Sequence, residues 1–345
     1  MKALVLAGGS GTRLRPLSYS MPKQLVPVAN RPVLEHVLEN IRELGVTETG
    51  IVVGDWAAAI QEVLGDGSRL GLRLSYLRQE KPLGLAHCVI LAREFLADDD
   101  FVLHLGDVML PDGVRDAAGT FAARGPAAHV VVQKVADPRA CGVAEVAADG
   151  TVLGLEEKPA HPRGDLALTG VYFLTRAIHR AVAAIGPSAR GELEITDAIQ
   201  WLVSAGERVT ADTYDGYWRD TGRIGDVLAC NRELLDRAFP RRHDVLPVVA
   251  GSADRASSLT GPVVIEAGAR VVRSHLTGPV VVGAGSLVED SRLGPYTSVG
   301  RDCVLTRVRG ADCITLDGAR VVGGPALDST VVAPARTPSR AEGAA

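Results

Sequence analysis

The stretch Leu6–Pro32, LAGGSGTRLRPLSYSMPKQLVPVANRP, follows the first apolar run of the chain. Gly8, Gly9 and Gly11 leave room for a ligand at the main chain, and successive backbone N–H groups there favour phosphate. The stretch lacks the Gly-Lys-Ser/Thr of a P-loop, and Leu14 stands where a dinucleotide-binding fingerprint has its third glycine. A tight turn without a ligand would use the same glycines, so the loop alone leaves both interpretations open.

Two cations in this stretch favour the phosphate interpretation. Arg13 and Lys23 lie ten residues apart and flank a turn that contains Pro16 and Pro22. Two positive charges beside a glycine loop repel each other unless an anion neutralises them. Arginine would offer a polyphosphate a planar fork and lysine a point charge, which indicates an anion site rather than two solvated side chains.

The composition excludes several classes of protein. The chain has 345 residues, which predicts about two domains, and its net charge of -4 without a long Lys/Arg run argues against nucleic-acid or membrane partners. The five cysteines form no C-x-x-C pair, which indicates reduced thiols. We expect a cytoplasmic protein, because no signal peptide is visible and no apolar stretch approaches the ~20 residues that span a bilayer.

Strand and helix patterns alternate through the first two thirds of the chain. This alternation predicts βαβ units and an α/β fold with a mostly parallel sheet, in which ligands bind beyond the carboxyl ends of the strands. The glycine loop and Asp107 both follow predicted strands. We predict strands at 2–7, 50–54, 72–77, 101–106, 127–135 and 142–146, and helices at 31–44, 57–64 and 86–95.

A repeat of 17 residues occupies the last third. LTGPVVIEAGARVV begins at Leu259, LTGPVVVGAGSLVE at Leu276 and LGPYTSVGRDCVL at Leu293. Val271, Val288, Leu305 and Val322 fall on the same spacing, which is typical of a left-handed parallel β-helix. We therefore predict a first domain at 1–237, a linker at 238–258, the β-helix at 259–332 and a flexible tail at 333–345.

The segments GGSGTRLRPL and MPKQLVPVANRP closely resemble the signature of the sugar-phosphate nucleotidylyltransferases. Within that family the chain is most similar to the glucose-1-phosphate thymidylyltransferases, in the long form with a C-terminal β-helix. The resemblance implies a Rossmann-like nucleotidyltransferase sheet. Further segments agree in order and spacing: RQEKPLGLAH (78–87), LGD (105–107), GVAEV (142–146), EEKP (156–159), LTGVYFL (168–174), GELEITD (191–197) and WRDTG (218–222).

The resemblance implies an in-line transfer between phosphates. A sugar 1-phosphate would attack the α-phosphorus of a nucleoside triphosphate, dTTP by similarity, and release pyrophosphate. Asp107 and Asp220 match the family's Mg²⁺ ligands, and each follows a strand-like run, so we expect them to meet at one sheet edge. The alternatives are a strand-end cap for Asp107 and a turn residue for Asp220.

The family's other roles map onto this sequence residue by residue. Arg13 would grip the β- and γ-phosphates, Lys23 would neutralise the α-phosphate, and Lys158 would hold the sugar phosphate. A glutamine amide at Gln79 would pair with the imide edge of thymine or uracil and would not separate the two. The nucleotide site implied by the resemblance comprises Leu6, Gly8, Gly9, Gly11, Thr12, Gln79, Pro82, Gly84 and Asp107.

The sequence departs from the family pattern at two positions. Cys141 stands where bacterial relatives tend to have tyrosine, which leaves the identity of the sugar open, and Val108 stands where asparagine is common. The implied sugar pocket comprises Gly142, Glu157, Thr169, Gly170, Tyr172 and Trp218.

Three alternatives to the main hypothesis remain. The chain could use UTP or GTP, it could be a non-catalytic nucleotide-sugar sensor, or it could be a scaffold built on the β-helix. Retention of the cations and both aspartates argues against a sensor, and a scaffold leaves the N-terminal motifs unexplained. The β-helix contains only His275 as a candidate acyltransferase base and has about four coils, so we expect it to serve packing and homo-oligomer assembly.

Overall fold

A computed structural model describes residues 1–9, 11–239 and 247–334 of the chain. The chain divides into two compact units, which are called here the sheet unit and the β-helix unit. The sheet unit comprises Met1–Leu25 and Val33–Thr221, and the β-helix unit comprises Val26–Pro32 and Gly222–Ala345. Residues 240–246 of the predicted linker and residues 335–345 of the predicted tail lie outside the described part.

The described part of the first 238 residues contains thirteen strands and eight α-helices. The strands are β1 (Lys2–Ala7), β2 (Pro27–Val28), β3 (Arg31–Pro32), β4 (Glu48–Val53), β5 (Arg73–Arg78), β6 (Phe101–Leu105), β7 (Val108–Met109), β8 (Ala128–Lys134), β9 (Gly142–Val146), β10 (Val152–Glu157), β11 (Leu166–Leu174), β12 (Val209–Thr213) and β13 (Arg219–Asp220). The helices are α1 (Val33–Glu43), α2 (Ala57–Leu64), α3 (Leu85–Leu91), α4 (Arg93–Leu96), α5 (Arg115–Arg124), α6 (Ile178–Ala184), α7 (Ile195–Ser204) and α8 (Ile224–Ala238). Short 3-10 turns lie at Thr12–Leu14, Leu17–Tyr19, Lys23–Leu25 and Ser68–Leu70.

The sheet unit is built on a nine-stranded sheet with apolar side chains buried on both faces. Successive residues of β1 point to opposite faces: Leu4 and Leu6 pack in one core cluster, Val5 and Ala7 in the other. Such continuous apolar strands are typical of a sheet covered on both sides. The main strand order is β10-β9-β11-β6-β1-β4-β5, and β8 pairs with β11 and β12.

The predicted α/β fold is confirmed, and the sheet is mixed. The pairs β1–β4, β1–β6 and β4–β5 are parallel, as the βαβ pattern predicts. The prediction of a mostly parallel sheet differs from the structure after β6, where β11 is antiparallel to β6, β8 and β9, and β10 is antiparallel to β9. A short turn can join antiparallel strands, whereas parallel strands need a crossover, and only five residues separate β9 from β10.

Local boundaries follow the sequence patterns closely. β1, α2 and β9 have the predicted bounds. The helix predicted from Arg31 begins at Val33, because Arg31–Pro32 pair with Pro27–Val28 as β3 and β2. The helix predicted at 86–95 is divided into α3 and α4 around Ala92.

The β-helix unit contains three parallel sheets of short strands, consistent with the predicted left-handed β-helix. The strands are β14 (Val248–Val249), β15 (Ser252–Ala253), β16 (Ser258–Thr260), β17 (Val263–Ile265), β18 (Arg270–Val272), β19 (His275–Thr277), β20 (Val280–Val282), β21 (Leu287–Glu289), β22 (Arg292–Leu293), β23 (Thr297–Val299), β24 (Val304–Thr306), β25 (Arg309–Gly310), β26 (Ile314–Thr315), β27 (Arg320–Val322) and β28 (Val331–Val332). Within the three sheets the strands pair in the orders β14-β17-β20-β23-β26-β28, β15-β18-β21-β24-β27 and β16-β19-β22-β25.

Two features of this unit differ from the sequence prediction. Strand pairing begins at Val248, inside the segment predicted as a linker, where β14 pairs with β17. Leu305 pairs with Val321 rather than Val322, so that Val322 points outward and is 64% exposed. Ser298 pairs with Ile314, so this coil is one residue shorter than the 17-residue repeat. The inward-pointing position therefore moves from residue 322 to residue 321.

Asn231 of α8 joins three segments of the β-helix unit. Its Oδ1 accepts hydrogen bonds from the backbone N–H of Ala29 at 2.9 Å and from the Ser298 hydroxyl at 2.7 Å. Its Nδ2 donates to the carbonyl oxygen of Tyr296 at 3.0 Å. Since Asn231 is fully buried, these bonds satisfy polar groups that have no access to water.

We expect Asn231→Leu to destabilise the β-helix unit by about 1–3 kcal/mol, because it leaves the buried Ser298 hydroxyl without a partner. The half-buried N–H of Ala29 and carbonyl oxygen of Tyr296 lose their partner as well. Ser298→Ala removes one of these hydrogen bonds and should lower the free energy of unfolding by about 1 kcal/mol. Urea unfolding of the full chain measures both. An Asn231→Leu midpoint equal to the native one would contradict this role for the residue.

No described helix is long and apolar enough to cross a membrane.

Candidate functional site

A cleft of about 670 Å³ lies in the sheet unit, beside the residues that follow β1, β5 and β6. The structure brings nearly all of the predicted site residues together there, although they come from positions 6 to 220 of the chain. The predicted residues that line it are Leu6, Gly8, Gly9, Arg13, Lys23, Gln79, Pro82, Gly84, Asp107, Gly142, Glu157, Lys158, Thr169, Gly170, Tyr172, Trp218 and Asp220.

Gly11 and Thr12 do not line the cleft. Gly11 has a positive φ of 63° and precedes the turn Thr12–Leu14. A Cβ on Gly11 would lie 3.3 Å from Cβ of Lys23 and 3.4 Å from Cβ of Ser18. This glycine therefore allows the loop to pack against the segment that carries Lys23.

Two ion pairs connect the cations of the loop with the two aspartates. Lys23 Nζ donates to Asp107 Oδ2, and Arg13 Nη2 donates to Asp220 Oδ2 at 3.1 Å. Asp220 Oδ1 is buried and has no hydrogen-bond partner among the described residues. The site thus holds two cations beside two carboxylates, one of which keeps a coordinating oxygen free.

Main-chain pairing places the two aspartates next to each other. Asp220 lies opposite Val108 in the antiparallel pair of β13 with β7. The N–H and the hydroxyl of Thr221 both donate to the carbonyl oxygen of Asp107, at 3.0 and 2.8 Å. The expected meeting of the aspartates occurs on this separate two-stranded sheet rather than at the edge of the main sheet.

Burial and the neighbouring charge raise the pKa of Asp220. Loss of solvation is the main cause, and the negative charge of Asp107 adds to it, while Lys23 and Arg13 act in the opposite direction. A carboxylate that is desolvated beside another carboxylate favours a cation as its neighbour. This electrostatic arrangement is suited to a bound cation or to cationic side chains.

Glu157 and Lys158 form a second charged group in the cleft. Lys158 has a positive φ of 44°, and its N–H donates to the carbonyl oxygen of Cys141 at 3.0 Å. Its Nζ lies 2.9 Å from Glu157 Oε1, and Glu157 Oε2 accepts a hydrogen bond from the Thr196 hydroxyl at 2.7 Å. A non-glycine residue in the left-handed region is strained, which is common where side chains are held for function.

Small residues and a buried tyrosine shape the wall beside Glu157. A Cβ on Gly142 would lie 2.7 Å from Leu168 Cδ1 and 3.0 Å from both Glu157 Oε2 and Thr196 Oγ1. Burial raises the pKa of the Tyr172 hydroxyl, which therefore stays protonated. On the same wall, Trp218 Nε1 donates to the carbonyl oxygen of Thr169 at 2.9 Å.

Gly84 is needed for packing at the other end of the cleft. Its φ is 108°, and a Cβ there would lie 2.4 Å from the carbonyl oxygen of Leu193. The main chain that approaches Gly84 this closely is that of Leu193. Gln79 lies beside it and is 8% exposed.

Sequence reasoning did not assign several residues that line the cleft. Gln24 is 1% exposed and neither atom of its amide has a partner among the described residues, although it belongs to the quoted MPKQL segment. Arg190 donates to Glu157 Oε1 at 3.2 Å and lies directly before the GELEITD segment. The signal that could have identified Gln24 and Arg190 is that each lies within or next to a segment shared with the family. The unassigned lining residues are Gln24, Leu85, Cys88, Leu105, Val108, Ala140, Cys141, Leu168, Arg190, Glu192, Ile195 and Thr196.

A glycine-lined cleft that holds paired cations and carboxylates beside the ends of parallel strands suits an enzyme that acts on phosphate esters. Residues 2–237 match the family described as nucleotidyl transferase, and the chain belongs to this family. The predicted resemblance is thereby confirmed, and the chain is an enzyme of the nucleotidyl transferase type.

Sequence similarity to two related proteins extends over almost the whole chain. A glucose-1-phosphate thymidylyltransferase of Streptomyces griseus is 51% identical over 332 residues, which cover 96% of this chain and 92% of that protein. One of Streptomyces antibioticus is 47% identical over 333 residues, with 96% and 92% covered.

Solved structures share the fold of the sheet unit. A protein from Bacillus anthracis, assigned as a glucose-1-phosphate thymidylyltransferase and crystallised with sucrose, has a TM-score of 0.63 and 32% identity, and the match covers 67% of this chain and 94% of that one. A UDP-glucose pyrophosphorylase complexed with UDP-glucose has a TM-score of 0.62 and 22% identity, and the match covers 68% of this chain and 98% of that one. At this identity the likeness is evidence for the fold only.

We expect Gly142→Ala to destabilise the sheet unit by about 1–3 kcal/mol, because the new methyl group overlaps Leu168 and crowds Glu157. Gly154→Ala is the matched control on the neighbouring strand β10, where a Cβ would lie 3.7 Å from Gln200 Oε1 in ordinary contact. Thermal unfolding compares the two. Equal melting temperatures for both variants would show that the wall at Gly142 is not tightly packed.

Proposed function

We propose that the chain transfers a thymidylyl group from dTTP to a sugar 1-phosphate, with glucose 1-phosphate as the first candidate. A phosphate oxygen of the sugar phosphate bonds to the α-phosphorus, the bond to the β-phosphate oxygen breaks, and pyrophosphate leaves. The observation that carries the proposal is a single cleft that brings Arg13, Lys23 and Lys158 together with Asp107 and Asp220. The names of the two Streptomyces relatives support the choice of substrates.

Arg13 and Lys23 would exchange their carboxylate partners for phosphates. Both cations reach an aspartate in the cleft, so their side chains already extend toward the place where a triphosphate would lie. Arg13 would hold the β- and γ-phosphates and stabilise the leaving pyrophosphate, and Lys23 would neutralise charge at the α-phosphate. Preorganised charge of this kind stabilises the charge that develops in the transition state.

Asp107 and Asp220 would hold Mg²⁺. The buried, unpartnered Oδ1 of Asp220 fits a hard cation that prefers oxygen ligands. Among the described residues no third histidine, cysteine or carboxylate joins them, which suits an ion that is completed by waters and substrate phosphates. When bound, Mg²⁺ would supply charge neutralisation at the phosphates. Lys23 and Arg13 would then pair with phosphate oxygens in place of the two aspartates.

Lys158 would position the attacking sugar phosphate, and Glu157 would accept hydrogen bonds from sugar hydroxyls. Thr196 and Arg190 hold Glu157 in place, so its carboxylate is oriented before a sugar arrives. A sugar phosphate is largely a dianion at neutral pH and needs no general base. The chain therefore contributes position and charge rather than a covalent step.

Uridylyl transfer is the second candidate, because an amide at Gln79 meets the same imide edge in uracil and thymine. Cys141 lines the cleft near Gly142, which keeps the choice of sugar open as the sequence indicated. A homo-oligomer partly built by the β-helix and a cytoplasmic location stay predictions.

A substrate grid tests the proposed function. The purified full chain with Mg²⁺ should release pyrophosphate fastest with dTTP and glucose 1-phosphate among five triphosphates and several sugar 1-phosphates, and EDTA should abolish release. Highest turnover with UTP would favour the second candidate. A protein that binds dTDP-glucose in calorimetry and releases no pyrophosphate with any pair would be a sensor.

We expect Arg13→Ala to lower kcat/KM for dTTP about 100- to 1000-fold, by analogy with loss of one preorganised donor to a developing oxyanion. Arg15→Ala is the matched control, since Arg15 stacks on Tyr19 at 5.2 Å and does not line the cleft. Steady-state kinetics at saturating sugar 1-phosphate measures both. Near-native kcat/KM in Arg13→Ala would remove this residue from the phosphate site.

A further inference from the structure

The amide of Gln79 has its nitrogen committed to protein groups. Nε2 lies 3.1 Å from Nδ1 of His87 and donates to the carbonyl oxygen of Gly84 at 3.4 Å. A backbone carbonyl only accepts hydrogen bonds, so the reversed amide would place Oε1 against another oxygen. The Gly84 carbonyl therefore sets which end of the Gln79 amide faces it.

His87 reinforces this orientation. The residue lies on α3, one turn from Gly84, and is half-buried. To accept a hydrogen bond at Nδ1, its neutral ring must carry the proton on Nε2. With His87 and Gly84 as acceptors, both N–H bonds of the Gln79 amide are used within the protein.

The oxygen of the same amide lies beside Gly8, at the glycine loop of the cleft. A Cβ on Gly8 would lie 3.1 Å from Gln79 Oε1, and both Gly8 and Gln79 line the cleft. Since Gln79 is nearly buried, rotating its amide would break its hydrogen bonds without replacement by water. The cleft thus presents a hydrogen-bond acceptor at this position.

We propose that His87 is a specificity-determining residue that acts through Gln79. It holds the amide so that Oε1 accepts a hydrogen bond from the ring N3–H of thymine or uracil. Cytosine N3 carries no hydrogen and is an acceptor. It would therefore repel Oε1 or force the amide of Gln79 to rotate. This inference rests on the proposed function and refines it, because it separates imide pyrimidines from cytosine.

Two variants of His87 test the inference by kinetics. His87→Phe keeps a ring and removes the acceptor, whereas His87→Asn can place Oδ1 near the original Nδ1. We measure kcat/KM for dTTP, UTP and dCTP at saturating glucose 1-phosphate. In His87→Phe the dTTP/dCTP and UTP/dCTP ratios should both fall about fivefold to tenfold, the effect of one lost hydrogen bond, with KM for glucose 1-phosphate unchanged. His87→Asn should restore both ratios.

A merely structural role for His87 would lower all three kcat/KM values by the same factor. Native ratios in His87→Phe, at any level of remaining activity, would overturn the inference while leaving the proposed function intact.

A second measurement uses the native full chain and needs neither turnover nor a folded Phe variant. In protein labelled with ¹⁵N-histidine, His87 should show the Nε2–H tautomer with an unprotonated Nδ1, and the signal is assigned by its loss in His87→Asn. An Nδ1–H tautomer would overturn the inference. Failure of the native chain to use dTTP or UTP would refute the proposed function, and the tautomer would still decide how Gln79 is held.

Discussion

Pairing of opposite charges across the cleft is the interaction on which the candidate site depends. Arg13 lies in the turn that follows Gly11, and Lys23 lies in the segment packed against that glycine. Asp107 immediately precedes β7, and Asp220 lies on β13, the partner strand of β7 far along the chain. Either pair alone would be repulsive and poorly solvated in this position, as the raised pKa of Asp220 indicates. Together they hold the loop near the aspartates and keep four charged groups ready for exchange with a triphosphate and a metal ion.

Main-chain contacts give this electrostatic arrangement its geometry. Thr221 fixes the carbonyl of Asp107 with two hydrogen bonds, so the distance between the two aspartates is determined by backbone pairing rather than by flexible side chains. The positive φ of Lys158 and the close approach of Leu193 to Gly84 act in the same way at other points of the cleft. A preorganised backbone reduces the entropy that substrates must lose when they bind in a reactive position.

The β-helix unit is stabilised by a different combination of forces. Inward-pointing Val, Ile and Leu side chains of successive coils form its apolar core. Asn231 adds a buried polar connection between α8, the turn at Ala29 and the coil at Ser298. Packing between apolar side chains does not by itself fix the register of the coils, whereas three hydrogen bonds to one amide allow little displacement. We therefore infer that Asn231 fixes the position of the segment Val26–Pro32 within this unit.

The sequence by itself determined the α/β class, the approximate bounds of the nine strands and helices that it predicted, and the 17-residue repeat, because apolar periodicity and glycine placement act over a few residues. It also indicated most of the residues that line the cleft, although their roles came from a family resemblance and not from spacing. Tertiary structure alone decided that β9, β10 and β11 are antiparallel, that Val321 rather than Val322 points inward, and that Gln24 and Arg190 reach the cleft. Those outcomes depend on pairing and packing between residues distant in the chain, which a local pattern does not encode.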